Sequence, residues 1–208
     1  PSEKETLSTN HMLLTFLLHS STAFTLARAP VLNGHPLAPA TRARLTRAQV
    51  PSERVTELVL RGIFMLRRKE LLWFYQEGAS QLYPDQWAPY LEHIPANERH
   101  DLLSAYHRRL TAEDESIQRE AARRWARWEL STSTLRGPRG TPPAESISDE
   151  DDLFAAALAR IECHYFMHGA FFEPRDQLLQ NIDSIRHIPG VIVQGRHDAV
   201  CPLQTAYE

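Results

Sequence analysis

Two short apolar runs, far apart in the chain, stand out from a long polar and apolar mixture between them. Residues 55–60 and 191–193 are rich in β-branched and aliphatic side chains and are bounded by turn residues, which predicts two buried strands of a parallel sheet. The intervening pattern predicts helices over residues 68–80, 85–93, 97–110, 112–130 and 148–168.

Capping and turn residues refine these boundaries. Thr111 with Asp114 and Ser148 with Asp151 fit the capping pattern of a helix N-terminus. Residues 131–146 are rich in glycine and proline, which predicts a loop. Residues 1–50 show no clear period, and for the apolar run 12–18 an amphipathic or partly ordered helix is preferred to a secretory signal.

The order of these elements predicts the architecture. A strand, roughly 130 residues of mainly helical chain and a second strand do not form a plain βαβ unit, whose crossover is normally one helix. The simplest fold is an α/β sheet domain with an inserted, mainly helical cap. We divide the chain into an N-terminal segment of undetermined structure (1–50), a core strand region (51–66), the helical cap (67–183) and a second core strand region (184–208).

Composition excludes some partners. The chain has 208 residues, of which 42% are hydrophobic, a formal charge of −3 and a pI of about 6.4. Such a chain is globular, and its charge favours neither nucleic acid nor an anionic membrane. Cys163 and Cys201 form no CxxC motif, so we expect a reducing, cytoplasmic environment.

Asp198 is the strongest local candidate for chemistry, because it follows the second predicted strand in Gly-Arg-His-Asp. Open α/β sheets place catalytic groups at the carboxyl ends of their strands. From this motif alone, a catalytic acid and an aspartate that caps the helix after Pro202 are equally good interpretations.

Two other clusters are given structural interpretations. His164, His168 and Cys163 resemble a metal site, but the sequence offers no HExxH motif and no distant third ligand, so we expect no metal. The ladder formed by Arg119, Arg123 and Arg127 has acidic neighbours, so we interpret it as a solvated helix face rather than a nucleic-acid contact.

Four stretches resemble successive signatures of the proline iminopeptidase family, in the same order and with similar spacing: residues 54–64 (RVTELVLRGIF), 73–80 (WFYQEGAS), 160–166 (RIECHYF) and 185–202 (IRHIPGVIVQGRHDAVCP). The resemblance extends from about Ala48 to Glu208. It implies a partial α/β-hydrolase sheet with a helical cap, a serine exopeptidase activity and peptides with N-terminal proline as substrates. It implies no cofactor, and the sequence does not determine the oligomeric state.

The resemblance also implies roles for particular residues. Asp198 would be the triad acid, Glu129 and Glu162 would bind the substrate's α-ammonium, Phe64 and Phe74 would form an apolar slot for the prolyl ring, and Arg61 would brace the acidic groups of the cap. Phe74 stands where relatives often have tyrosine. A buried cation does require carboxylates. Without the family, Trp125, Trp128 and Glu129 would be interpreted as a core-facing tryptophan pair beside a solvated glutamate.

Two parts of a serine hydrolase are missing from the sequence. No Gly-x-Ser-x-Gly motif occurs, and no histidine follows Asp198. We therefore expect the sequence to be a segment of a longer protein and to be inactive by itself. The alternatives are another capped α/β hydrolase, such as an esterase or epoxide hydrolase, and a catalytically dead remnant that acts as a binding module.

Overall fold

The computed structural model describes residues 55–133 and 149–208, and only the backbone of residues 23–25 and 149–150. The predicted helix over 12–18, Ser148 of one predicted cap and most of the predicted loop 131–146 lie outside the described residues.

A small sheet joins three distant parts of the chain. Strands β1 (Ala23–Thr25), β2 (Leu58–Arg61) and β3 (Gly190–Val193) lie in that order. The β1 strand pairs antiparallel with β2, and β2 pairs parallel with β3, with Leu58 opposite Gly190. The predicted parallel pairing of the two apolar runs is present, and β1 comes from a region whose structure the sequence did not determine.

The strands were predicted to be buried, and this is wrong for most of their side chains. Leu58 is buried, but Val59 is exposed, and Val191, Ile192 and Val193 each expose more than half of their surface. The reason is that the described helices pack around a core of their own, to which no residue of β2 or β3 contributes. An apolar run therefore formed a strand without being covered by this helical layer.

The helical region matches the prediction in position and differs in its boundaries. The α-helices are α1 (Arg68–Tyr75), α2 (Ala79–Leu82), α3 (Pro84–Glu92), α4 (Leu102–Leu110), α5 (Glu115–Thr132), α6 (Asp149–Met167), α7 (Gln177–Gln180) and α8 (Leu203–Tyr207). Short 3-10 turns occur at Ala96–Glu98, Gly169–Phe171 and Ile182–Ser184.

The helix predicted over 68–80 is two helices, because the chain breaks at Gly78. This residue has a φ of +103°, and a Cβ there would lie 2.5 Å from the Trp73 ring. Only glycine combines that backbone conformation with that close approach. After the break, α2 contacts α1 and α3, and α3 packs against α5.

Capping residues account for two other shifted boundaries. The helix predicted from Ala112 begins at Glu115, because Asp114, and not Thr111, is the N-cap: its carboxylate accepts from the Ser116 amide at 2.8 Å. In the same way Asp101 accepts from the Ser104 amide at 3.1 Å and starts α4. At its other end α5 continues to Thr132, two residues beyond the prediction.

Aromatic side chains from α1, α3, α4, α5 and α6 form the core of the helical region. Its largest fully buried side chains are Trp125, Trp128, Tyr90 and Tyr106. Their rings contact one another at centroid separations of 4.4 to 6.3 Å. Burial of so much aromatic surface is the main favourable term for this layer.

Helices α5 and α6, which carry the two predicted ammonium-binding glutamates, are also joined by charge. Arg123 Nε and Nη2 donate to the two oxygens of the buried Asp152 at 2.5 and 2.6 Å, and Arg119 lies 3.8 Å from the same carboxylate. The arginine ladder is therefore not simply a solvated face. Two of its members pair with α6.

None of the described helices has the length and apolar character needed to span a lipid bilayer. Cys163 and Cys201 are both buried, and they do not form a disulfide with each other.

Candidate functional site

Asp198 lies in the loop that follows β3, and the loop folds around its carboxylate. Its Oδ1 accepts from the amides of Val200 and Cys201 at 3.1 and 2.8 Å, and Oδ2 accepts from Gln194 Nε2 at 3.3 Å. These bonds form a turn within the loop. Helix α8 begins after Pro202 without a side-chain cap, so the structure does not contain the helix-capping aspartate considered as an alternative.

Gln194 connects this acid loop (residues 194–202) to the end of β2. Its side-chain oxygen accepts from the Ile63 amide at 3.2 Å, while its side-chain nitrogen also donates to the Cys201 carbonyl at 2.7 Å. Because β2 and β3 are parallel, both strands end at the same edge of the sheet. Gln194 thereby fixes the acid loop at that edge.

Helix α1 holds the acid loop from the other side. Trp73 Nε1 donates to the carbonyl of Ala199, next to Asp198, at 2.8 Å. The buried Glu70 accepts from the hydroxyl of Thr205 on α8 at 2.7 Å and from the Arg67 amide at 2.7 Å. The acid loop is therefore bonded to both the sheet and the helical layer.

Glu129 and Glu162 are buried side chains of the aromatic core, with 2% and 3% of their surfaces exposed. The hydroxyl of Tyr75 donates to Glu129 Oε1, and Trp125 Nε1 donates to Glu162 Oε2 at 3.0 Å. The prediction made without the family is thus half correct: the tryptophans do face the core, but Glu129 is not solvated.

The two carboxylates also interact electrostatically. Burial raises the pKa of Glu129 well above its ordinary value, and the nearby Glu162 raises it further, while the hydrogen bond from Tyr75 opposes the shift. Burial, followed by the charges of Glu129 and Glu162, raises the pKa of Tyr75, which keeps its hydroxyl protonated as a donor. A cation that bound between these carboxylates would relieve the repulsion.

Phe64 and Phe74 are both buried in this aromatic core. Phe74 contacts Tyr75 and Trp128, with ring centroids 4.9 and 5.2 Å apart. The Phe64 ring meets Phe166 edge to face at 5.9 Å. Both residues therefore lie in the same apolar surroundings as the carboxylates.

The acid loop borders the same core. The pKa of the Cys201 thiol is raised by burial and then by the nearby carboxylates of Asp198, Glu129 and Glu70. Cys201 belongs to the aromatic core cluster and is also bonded to Asp198 through its amide. Cys201 thus connects the Asp198 loop to the aromatic core in which Glu129 is buried.

Arg61 is not brought to the carboxylates by the described structure. It lies exposed at the end of β2, and no ion pair between it and an acidic group occurs among residues 55–133 and 151–208. Its bracing role stays a prediction.

An open groove of about 560 Å³ lies elsewhere, between α4 and α6. Its described lining includes His107, Thr111, Arg160 and His164, and none of the predicted site residues. His164 and His168 pack ring to ring at 4.3 Å. Within the part of the chain that the structure describes, no group of three or more His, Cys, Asp or Glu side chains could hold a metal ion.

The sequence analysis did not identify the side chains that hydrogen-bond to Glu129 or fix the acid loop and α8, which are Tyr75, Gln194, Trp73 and Glu70. Tyr75 and Trp73 flank Phe74 in a single stretch, WFY. The sequence shows these aromatic residues but does not show which groups they bond to. The bonded partners lie 54 residues away for Tyr75 and 126 for Trp73. Only the folded arrangement identifies such pairs.

Several curated proteins similar to this chain are named as proline iminopeptidases. A proline iminopeptidase of Xylella fastidiosa (strain Temecula1) is 56% identical over 164 residues, which are 79% of this chain and 51% of that protein. A probable proline iminopeptidase of Leptolyngbya boryana is 55% identical over 163 residues, 78% of this chain and 50% of that protein. One from Arabidopsis thaliana is 48% identical over 166 residues, 79% of this chain and 42% of that protein. No family model matches the chain.

These relatives imply the α/β-hydrolase fold, and the small parallel sheet beside a helix-rich region is compatible with part of it. The chain spans about half the length of the curated relatives it matches. Within this class of protein it belongs to the proline iminopeptidase family, as a partial sequence. The predicted family is confirmed.

Proposed function

We propose that the protein to which this sequence belongs is a serine exopeptidase that releases N-terminal proline from peptides. In this proposal residues 67–183 are the cap, and residues 51–66 and 184–208 belong to the catalytic α/β core, in the cytoplasm. Asp198 is the triad acid, which orients the histidine base and stabilises its protonated form.

The observation that carries this proposal is the pair of carboxylates, Glu129 and Glu162, buried in an aromatic core. Burying two like charges is unfavourable unless a partner compensates for them. The free N-terminus of a prolyl peptide is a secondary ammonium, which supplies the opposite charge. An esterase or epoxide hydrolase acting on neutral substrates would have no use for this pair.

The aromatic side chains around the carboxylates would contact the apolar part of the substrate. Phe64 and Phe74 offer apolar surface for the pyrrolidine ring. Phe74 supplies no hydroxyl, so the slot at this position recognises its ligand by packing alone. The combination of apolar wall and buried carboxylates selects a small apolar residue that carries a free amine.

The test is a chimera in which residues 48–208 replace the matching segment of the Xylella fastidiosa relative, which is 56% identical over the matched region. We expect it to hydrolyse L-proline p-nitroanilide and to leave the N-acetylated substrate intact. Glu129→Gln and Glu162→Gln should each raise KM by about 10- to 100-fold, because each removes an ionic contact with the substrate. Steady-state kinetics provide the measurement.

Glu120→Gln is the matched control, because Glu120 lies on the same helix as Glu129 but is partly exposed and pairs with the half-buried Arg124 at 2.7 Å. It should leave KM and kcat unchanged. If Glu129→Gln and Glu162→Gln also leave them unchanged, the proposed recognition of the ammonium is wrong. The 208-residue chain alone should show no turnover, since its sequence contains no Gly-x-Ser-x-Gly motif. Turnover by that chain would contradict this expectation.

A further inference from the structure

Glu129 and Glu162 each accept a hydrogen bond from an aromatic side chain on a different helix. Tyr75 on α1 donates its hydroxyl to Glu129 on α5, and Trp125 on α5 donates Nε1 to Glu162 on α6 at 3.0 Å. The two donor rings stack on each other, with centroids 4.7 Å apart and planes inclined by 18°. Two hydrogen bonds and one stacked ring pair therefore connect the three helices: α1 with α5 through Tyr75, and α5 with α6 through Trp125.

We propose that Tyr75 is a positioning residue for amine recognition: its hydroxyl fixes the Glu129 carboxylate, and its stacked ring keeps that carboxylate aligned with the Trp125–Glu162 pair. This inference rests on the proposed function, in which both carboxylates accept the substrate's ammonium. A carboxylate has about four acceptor sites, so the bond from Tyr75 leaves capacity for the ligand while restricting rotation of the group.

Packing alone would not require a hydroxyl at residue 75. The Tyr75 ring contacts Phe74, Trp125 and Phe166, and a phenylalanine ring could make the same contacts. A tyrosine hydroxyl in such a core is costly to bury unless it is bonded. Its bond to a carboxylate, rather than to a backbone carbonyl, therefore points to a role in the site.

The chain offers a matched tyrosine with a purely structural bond. Tyr106 is also fully buried, and its ring stacks on Tyr90 with centroids 4.4 Å apart and planes inclined by 8°. Its hydroxyl donates to the backbone carbonyl of Tyr90 at 2.7 Å. Removing either hydroxyl takes one bonded oxygen out of the same core, but only Tyr75 contacts a carboxylate.

The groups around Glu129 determine how loss of the Tyr75 hydroxyl should change the pKa of Glu129. The titratable groups that face it are Tyr75 from α1, Tyr90 from α3, Glu162 from α6 and Cys201 from the acid loop. Burial and Glu162 raise the pKa of Glu129, and the bond from Tyr75 lowers it. Without the hydroxyl the pKa should rise further, so that Glu129 ionises and binds an amine only at higher pH.

The experiment compares Tyr75→Phe with Tyr106→Phe in the full 208-residue chain. Carboxyl ¹³C NMR follows the titration of Glu129, whose resonance is assigned by its disappearance in Glu129→Gln. We expect the midpoint to rise by about one pH unit in Tyr75→Phe and to stay unchanged in Tyr106→Phe. Calorimetric titration with L-prolinamide at pH 7 should show affinity weakened about tenfold in Tyr75→Phe only.

The inference is overturned if Tyr75→Phe leaves either the Glu129 midpoint or the affinity unchanged, or if Tyr106→Phe produces the same changes. Failure of the proposed function gives a different result. In that case L-prolinamide and its uncharged N-acetyl derivative would bind alike, or Glu129→Gln and Glu162→Gln would bind L-prolinamide as tightly as the unaltered chain does.

Discussion

At the scale of single residues, the proposed role of Glu129 in recognition has a consequence for stability. Burial raises the pKa of Glu129 and makes its free, ionised carboxylate unfavourable. Functional sites commonly contain such locally unfavourable groups, which the rest of the fold tolerates. In the absence of a bound cation, the cost appears as a dependence of stability on pH.

The sign of that dependence follows from the raised pKa of Glu129. Between its ordinary value of 4.5 and its higher folded value, the unfolded chain is ionised while the folded chain keeps the proton. The contribution of the group to stability is therefore complete below about pH 4.5 and is lost as the pH rises through the folded pKa.

We predict that Glu129→Gln is more stable than the unaltered chain at pH 8, by roughly 3 °C in Tm. Glutamine fills the same space and can still accept from Tyr75, but it cannot ionise. The advantage should shrink as the pH falls toward 4.5, which thermal unfolding followed by circular dichroism would measure. A lower Tm for the variant at pH 8 would contradict the prediction.

At the scale of secondary-structure elements, the relation between α5 and α6 determines the site. Glu129 lies near the C-terminus of α5 and Glu162 near the C-terminus of α6, and the Arg123–Asp152 pair joins the same two helices. Trp125 adds a second bond between them, through Glu162. The carboxylate pair thus depends on how these two successive helices pack against each other.

Asp152→Ala should lower the free energy of unfolding by about 2 kcal/mol, because it leaves the partly buried Arg123 without its bidentate partner. Urea unfolding would measure the change. The control is Glu120→Ala, which breaks the more exposed pair with Arg124 within α5 and should cost no more than about 0.5 kcal/mol. Equal effects of the two substitutions would show that the α5–α6 ion pair has no special importance.

At the scale of the whole molecule, the described chain combines a well-packed helical core with two paired strands, β2 and β3, that are largely exposed. Cys163 on α6 and Cys201 in the acid loop both belong to that core. Burial, and then the charge of Glu162, raises the pKa of Cys163 to about 12, and burial also raises the pKa of Cys201. Burial therefore disfavours the thiolate form of both cysteines in the folded chain.

We therefore predict that Ellman's reagent reacts with neither cysteine at pH 8 in the folded chain and with both in 6 M guanidinium. Because both thiols lie in one core, they should become reactive together as the denaturant concentration rises. Reaction of Cys201 alone at low denaturant would instead show that the acid loop opens independently of the helical core.

The sequence located most elements but misplaced several of their ends. Local signals were sufficient for the two paired strands and for the positions of α3, α5 and α6. They failed at Gly78, where the glycine breaks a predicted helix because it must approach the Trp73 ring, and at Asp114, which was a better cap than Thr111. Burial of the strands was inferred from their apolar composition. In the described structure most of these apolar side chains are exposed, so composition alone did not determine their burial.

For the candidate site, the sequence by itself determined the family and singled out Asp198, Glu129 and Glu162, since these depend on motifs that can be recognised along the chain. Only the tertiary structure decided that Glu129 is buried rather than solvated, and that Tyr75 and Trp125 are the donors that hold the two carboxylates. The physical reason is that hydrogen bonding and burial depend on neighbours in space, and in this chain those neighbours are 37 and 54 residues apart.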